Sequence, residues 1–248
     1  MLGSPVGSFV HLNRFPLEHL MAEQTHDNGD STLTFQYWSD PMCIWAFVGQ
    51  SKLDRILEEW GERVEVDYRI TPVFGSVPWR FREGGWSDGG PEERREKTCE
   101  LARQHGIEDV EGEVWIDSEP HSSWACGAAA KAVFQMEEAG EADPGAGAQY
   151  LWEMREHFYR RDRNICHRDE QLAIADELGI DTDALARRLD DGSALAGLWE
   201  DENQRDELGV RGSPTYVFEG GRAVLYGNFP FAVLHSVVEE LLAGLELG

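Results

Sequence analysis

The chain has 248 residues, enough for one large domain or a small domain with a long insertion, and its 47 Asp and Glu against 22 Lys and Arg give a formal net charge of −25. That excess repels nucleic acid and anionic membrane surfaces, and no apolar run approaches the roughly 18 residues of a membrane-spanning helix. Only three lysines, Lys52, Lys97 and Lys131, stand among carboxylates spread along the whole length, a composition expected of a salt-adapted cytoplasm such as that of a haloarchaeon, with an ordinary acidic protein as the alternative.

Residues 1–30 mix Gly, Ser, Pro and polar side chains around one apolar patch from Phe15 to Met21, and are expected to form a flexible N-terminal extension. They lack the basic start, apolar middle and small-residue cleavage site of a secretory signal, so the chain is expected to be cytoplasmic. Thr32 to Trp38 has the β-branched and aromatic content of a buried strand. Ser39-Asp40-Pro41 supplies turn chemistry, and apolar residues recur at helical spacing from Ile44 to Trp60. Val64 to Ile70 alternates apolar and polar, which completes a βαβ unit with a parallel strand pair. From Val73 to about Arg205 the pattern is helical without a fixed repeat. Helices are expected after Pro91, from Trp124, from Ala146, from Arg168, from Asp181 and from Ser193. Thr215 to Phe218, the Gly220-Gly221 turn and Ala223 to Tyr226 form a hairpin signal, and Pro230 opens a last amphipathic helix. The implied organisation is an extension over 1–30, a first α/β piece over 31–73, a helical insertion over 74–205 and a second α/β piece over 206–248.

Four cysteines, Cys43, Cys99, Cys126 and Cys166, lie far apart, with neither a CxxC pair nor the Cys/His spacing of a zinc site. A reducing compartment and no metal fit that pattern. Cys43 falls where the first strand hands over to its helix, beside backbone N–H groups that have no other partner and favour a thiolate. A thiol pKa near ~8.5 drops to roughly 3.5–7.5 in such places, which would make Cys43 a nucleophile; the alternative is an inert buried thiol.

Asp40-Pro41-Met42-Cys43-Ile44-Trp45-Ala46 resembles the active-site turn of the DsbA-like branch of thioredoxin-fold proteins, commonly Asp-Pro-x-Cys-Pro-Trp-Cys. Ile44 replaces the proline, and Ala46 replaces the second, resolving cysteine. The element order, βαβ, helical insert, then ββα, matches that fold over nearly all of residues 31–248. The resemblance implies an α/β thioredoxin-like fold with an all-α insertion. It also implies that Gly212-Ser213-Pro214-Thr215 is the segment whose proline is cis and faces the active cysteine, although an ordinary trans proline opening a strand is the commoner case.

Cys43 is thus the candidate catalytic residue, and the resemblance makes Pro41, Trp45, Ser213 and Pro214 candidates for binding substrate. Ser122, Ser123 and Asn164, at or before helix starts of the insertion, either look towards the cysteine or simply cap helices. Cys126 and Cys166 are candidate resolving thiols, and His121 and His167 candidate tuning groups. The function implied is thiol-disulfide exchange by one cysteine, with no tightly bound cofactor and a low-molecular-weight, glutathione-like thiol as co-substrate. Partners are then thiol or disulfide substrates, including protein clients. Alternatives that share this likeness are kappa-class glutathione transferases, 2-hydroxychromene-2-carboxylate isomerases and adaptors of the ClpXP protease.

Overall fold

The computed structural model describes residues 32–247, so the extension expected over 1–30 lies outside the described residues. Strand β1 (Leu33–Ser39) runs parallel to β2 (Val64–Ile70) and antiparallel to β3 (Thr215–Phe218), and β3 pairs antiparallel with β4 (Ala223–Tyr226), giving the order β2-β1-β3-β4. The central β1 is covered on both faces, which explains its nearly continuous apolar sequence. Leu33, Phe35 and Tyr37 meet Tyr216 and Phe218 on one face. There they pack against Leu53 and Ile56 of α1 (Ile44–Trp60) and Leu234, Val238 and Leu242 of α10 (Phe231–Leu247). Each such buried side chain contributes about 1.5–3 kcal/mol.

Between β2 and β3 lie eight helices: α2 (Val77–Arg82), α3 (Gly90–Gln104), α4 (Val114–Asp117), α5 (Ser123–Glu138), α6 (Ala146–Arg160), α7 (Arg168–Glu177), α8 (Thr182–Asp190) and α9 (Ser193–Leu208). Helix α5 is the hub, packed against α6, α8 and α9. Its run of small residues, Gly127 to Ala130, lets it approach β2 closely: a Cβ on Gly127 would sit 3.2 Å from both Ile70 and Pro72. Helix α9 runs on to Leu208, as its sequence pattern from Ser193 implies, because nothing in Asp206-Glu207-Leu208 breaks a helix. It stops where Gly209 adopts φ 66°. A buried ionic knot ties this bundle to the sheet. Asp201 of α9 accepts from Lys131 of α5 (3.0 Å), Arg69 of β2 (3.2 Å) and the backbone N–H of Ile70 (3.1 Å).

Candidate active site

The turn between β1 and α1 is built around a carboxylate. Asp40 is fully buried, and its oxygens accept from the N–H of Met42 (2.6 Å), the N–H of Val73 (2.6 Å) and the hydroxyl of Ser123 (2.5 Å). Ser123 in turn accepts from the N–H of Phe74 (3.1 Å), and its own N–H donates to the Phe74 carbonyl (3.0 Å). One side chain therefore joins the turn, the exit of β2 and the start of α5. Among the described residues no cation touches it directly, and burial pushes its pKa up to about 6 against the pull of those hydrogen bonds and of the Arg155 charge. Around it, Tyr159 donates to the Met42 carbonyl (2.5 Å). The buried Arg155 donates to Ser39 (2.8 Å) and Gln50 (3.0 Å).

Cys43 is the N-cap of α1, with extended backbone (φ −85°, ψ 112°), and its carbonyl accepts from the N–H groups of Ala46 and Phe47. Its sulfur lies 3.2 Å from the Ser213 carbonyl oxygen, to which the thiol donates. The Ser213 hydroxyl accepts from the Asp40 N–H (2.9 Å), which ties the loop before β3 to the turn, and the Ser213–Pro214 peptide bond is cis. Only 4% of Cys43 is exposed. Burial consequently pushes the thiol pKa up, helped by the Asp40 charge. The Ser213 hydroxyl and the N–H groups of Ala46 and Trp45 pull the other way without prevailing. The expectation of a lowered pKa at Cys43 is thus corrected in sign: desolvation outweighs the donors of the helix start.

Cys43 borders a cavity of about 630 Å³ together with Trp45, Thr71 to Phe74, Arg80, Arg94, Arg205, Asp206, Val210 to Ser213 and Tyr226. Trp45 is 42% exposed and meets His105 edge to face. Pro41 and Pro214 are buried behind the cavity lining rather than part of it, and Ala46 is fully buried. Arg94 lies across the rings of Trp86 and Trp115 (4.5 and 4.8 Å to the centroids). Arg80 lies over Phe74 and Trp86 and donates to the Val73 carbonyl (2.6 Å). Burial pulls the Arg94 pKa down, and a thiolate at Cys43 would pull it back up.

The remaining candidates gather elsewhere. Ser122 caps α5 by accepting from the Trp124 N–H (3.3 Å), and its carbonyl accepts the Cys166 thiol (3.2 Å). Cys166 also lies 3.6 Å from the Met42 sulfur, and the buried Cys126 thiol donates to the Ser123 carbonyl (3.4 Å). The neighbouring Cys126 thiol lowers the Cys166 pKa against burial, while burial raises Cys126. All four cysteines are free. Asn164 is buried, donates to the Ser118 carbonyl (2.9 Å) and accepts from the Cys166 N–H (3.1 Å), so it shapes its own turn. With Cys166 and the exposed His167 it borders a second cavity that excludes Cys43. The His121 side chain is exposed, and its carbonyl accepts from the Val77 N–H (2.9 Å). Among the described residues no cluster of His, Cys, Asp or Glu could hold a metal, and no helix is long and apolar enough to cross a membrane. Asp40, Arg80 and Arg94 escaped the sequence reading. An aspartate in Ser-Asp-Pro reads as a turn former, and Arg94 sits in a charged run that reads as a solvated helix face.

The model of the DSBA-like thioredoxin domain matches residues 34–239. The chain belongs to that family. It is 24% identical over 211 residues to the ClpXP adapter protein SpxH of Halalkalibacterium halodurans, a match that covers 82% of this chain and 65% of that protein. Among solved structures, the cytosolic disulfide reductase DsbM from Pseudomonas aeruginosa with GSH superimposes with a TM-score of 0.59 at 21% identity, covering 87% of this chain and 98% of that one. A 2-hydroxychromene-2-carboxylate isomerase does so with a TM-score of 0.60 at 13% identity, covering 87% of this chain and 100% of that one. At these identities the structural likeness speaks for the thioredoxin-like fold with its helical insertion.

Proposed function

We propose that this DSBA-like protein is a monothiol disulfide reductase of the cytoplasm that exchanges through Cys43 and a low-molecular-weight thiol. The observation that carries the reading is Cys43 at the edge of a cavity of about 630 Å³, its sulfur 3.2 Å from the Ser213 carbonyl, with a buried alanine at position 46 instead of a second cysteine. The Cys43 thiolate attacks the small-thiol sulfur of a mixed disulfide on a client. A bond from Cys43 to that sulfur forms, the client sulfur leaves as thiolate and takes a proton. A second small thiol then attacks the same sulfur, releasing Cys43 and a small-molecule disulfide, so the client is reduced and the small thiol oxidised.

A low-pKa cysteine is a good leaving group and makes an oxidant; the raised thiol of the buried Cys43 is a poorer leaving group, which is consistent with a reductant whose mixed disulfide is released slowly. Ser213, on the neighbouring loop, is suited to align an extended client segment through its backbone.

Incubation of the full chain with oxidised glutathione, read by peptide mass spectrometry, is expected to place one adduct on Cys43 that excess thiol removes. It should form faster as pH rises, with its inflection above the ordinary thiol value of about 8.5. Labelling of Cys99 or Cys166 with Cys43 untouched would overturn the reading. The likeness to SpxH favours a second one, a ClpXP-type adaptor that holds a protein partner: there Cys43→Ser would leave partner capture unchanged. Isomerase or transferase chemistry is less well supported, because cysteine stands where the resembling enzymes use serine.

A further inference from the structure

We infer that the cavity beside Cys43 is an anion site, in which Arg80, Arg94 and Arg211 hold the carboxylates of the small-thiol half of the disulfide. The inference rests on the monothiol reading for which molecule enters, but the charge of the site stands on geometry. In a chain of net charge −25, carboxylates outnumber cations and should leave few arginines unmatched. Many arginines are indeed paired: Arg69 with Asp67 and Asp201, Arg95 with Glu113, Arg160 with Glu156, Arg188 with Glu141. The lining of this cavity reverses the balance, with four arginines against the single carboxylate of Asp206.

Arg205 is already matched, by Glu202 and by Asp206 at 2.7 Å. The other three have no carboxylate within ion-pair distance among the described residues, and the Nε of Arg94 is buried with no hydrogen-bond partner there. Phe74, Trp86 and Trp115 place their rings against the guanidinium groups of Arg80 and Arg94, and of the N–H groups there only the Arg80 Nη2 has a hydrogen-bond acceptor among the described residues, the Val73 carbonyl. A weakly hydrated guanidinium among aromatic rings is the side chain suited to bidentate carboxylate binding. Cys43 shares the cavity, so an anion held there would bring its sulfur towards the reacting sulfur. A volume of about 630 Å³ fits a molecule of a few residues rather than a folded partner.

Two measurements test this on the full chain, at the lowest salt that keeps its native circular dichroism. Calorimetry with S-methylglutathione, which carries the carboxylates but cannot exchange, reads the site independently of Cys43. Binding should weaken about tenfold in Arg94→Gln and in Arg211→Gln, and fall with added NaCl. No detectable binding, or binding indifferent to both substitutions, overturns the inference; Arg211 is exposed, so its variant serves even if Arg94→Gln misfolds. Kinetics of Cys43 adduct formation then compare oxidised glutathione with cystamine, which is cationic. The anionic disulfide should react about tenfold faster, a ratio that falls towards one in Arg211→Gln. Equal rates, or faster cystamine, would overturn the charge selection while leaving the Cys43 chemistry intact. Reaction with neither disulfide would instead overturn the monothiol reading, with the calorimetry still deciding the anion site.

Discussion

Two buried aspartates hold the helical insertion to the sheet, and they are solvated by the protein in opposite ways. Asp201 is met by two cations, Lys131 and Arg69, and by one backbone N–H. Among the described residues Asp40 is met only by neutral donors, two backbone N–H groups and the Ser123 hydroxyl. Both are fully out of solvent. The difference sets an ion-paired tie beside a neutral-donor one: with no cation in contact, desolvation raises the Asp40 pKa to about 6 against its hydrogen bonds and the more distant Arg155 charge. Asp40 is also the one beside the candidate nucleophile, where its charge raises the Cys43 pKa.

The largest effect expected from breaking this contrast is at the ion-paired tie. Asp201→Ala leaves Lys131 buried without its counter-charge and should cost about 3–5 kcal/mol in urea unfolding, with loss of the native fold as the extreme. A cost under about 1 kcal/mol would mean that the knot contributes little. Asp40→Asn should cost less, about 1–3 kcal/mol, because the amide nitrogen takes the place of an acceptor either of Met42 N–H or of Val73 N–H and the Ser123 hydroxyl together.

That second substitution also sharpens the contrast through pH. The folded protein holds the Asp40 proton to higher pH than the unfolded chain, whose carboxyl titrates near about 3.9, so this group's contribution is full in acid and declines as pH rises through about 6. The stability advantage of the native protein over Asp40→Asn should therefore shrink from about pH 4 to about pH 6 and stay level above. Removing the charge should also move the alkylation inflection of Cys43 to lower pH. An inflection that stays or rises would remove Asp40 as a tuning group. The smallest effect is at the rim of the turn: Tyr159→Phe deletes the bond to the Met42 carbonyl and should cost about 0.5–1.5 kcal/mol.

The fold was far more legible than the chemistry of its site. Strands from Val64, Thr215 and Ala223 and the helices from Ile44, Ala146 and Ser193 have local patterns long enough to read, and their order carries the family likeness. Helices α2 and α4, of six and four residues, are too short to show a period, and only the structure locates them. The site depends on distant partners. Asp40 meets Val73 and Ser123 across 33 and 83 residues, and no local window contains that. The start of α1 suggested stabilisation of a thiolate, which is correct as far as the Ala46 and Trp45 N–H groups go. It did not show that the fold leaves only 4% of Cys43 exposed, and that burial decides the direction. Ser122 and Asn164 are polar residues at turns whose side chains cap and brace, a role that sequence alone left level with ligand contact.

The chain leaves the sheet through Thr71 to Phe74 and rejoins it through Val210 to Ser213, and both crossings border the hollow that Cys43 shares. Anything lodged there touches departure and return together and acts as a clasp between two otherwise sequence-remote borders. On the proposed monothiol reading, residence and mechanical cohesion would become one variable: the longer an adduct stayed on the sulfur, the longer the helical excursion would be fastened to the strands beneath it.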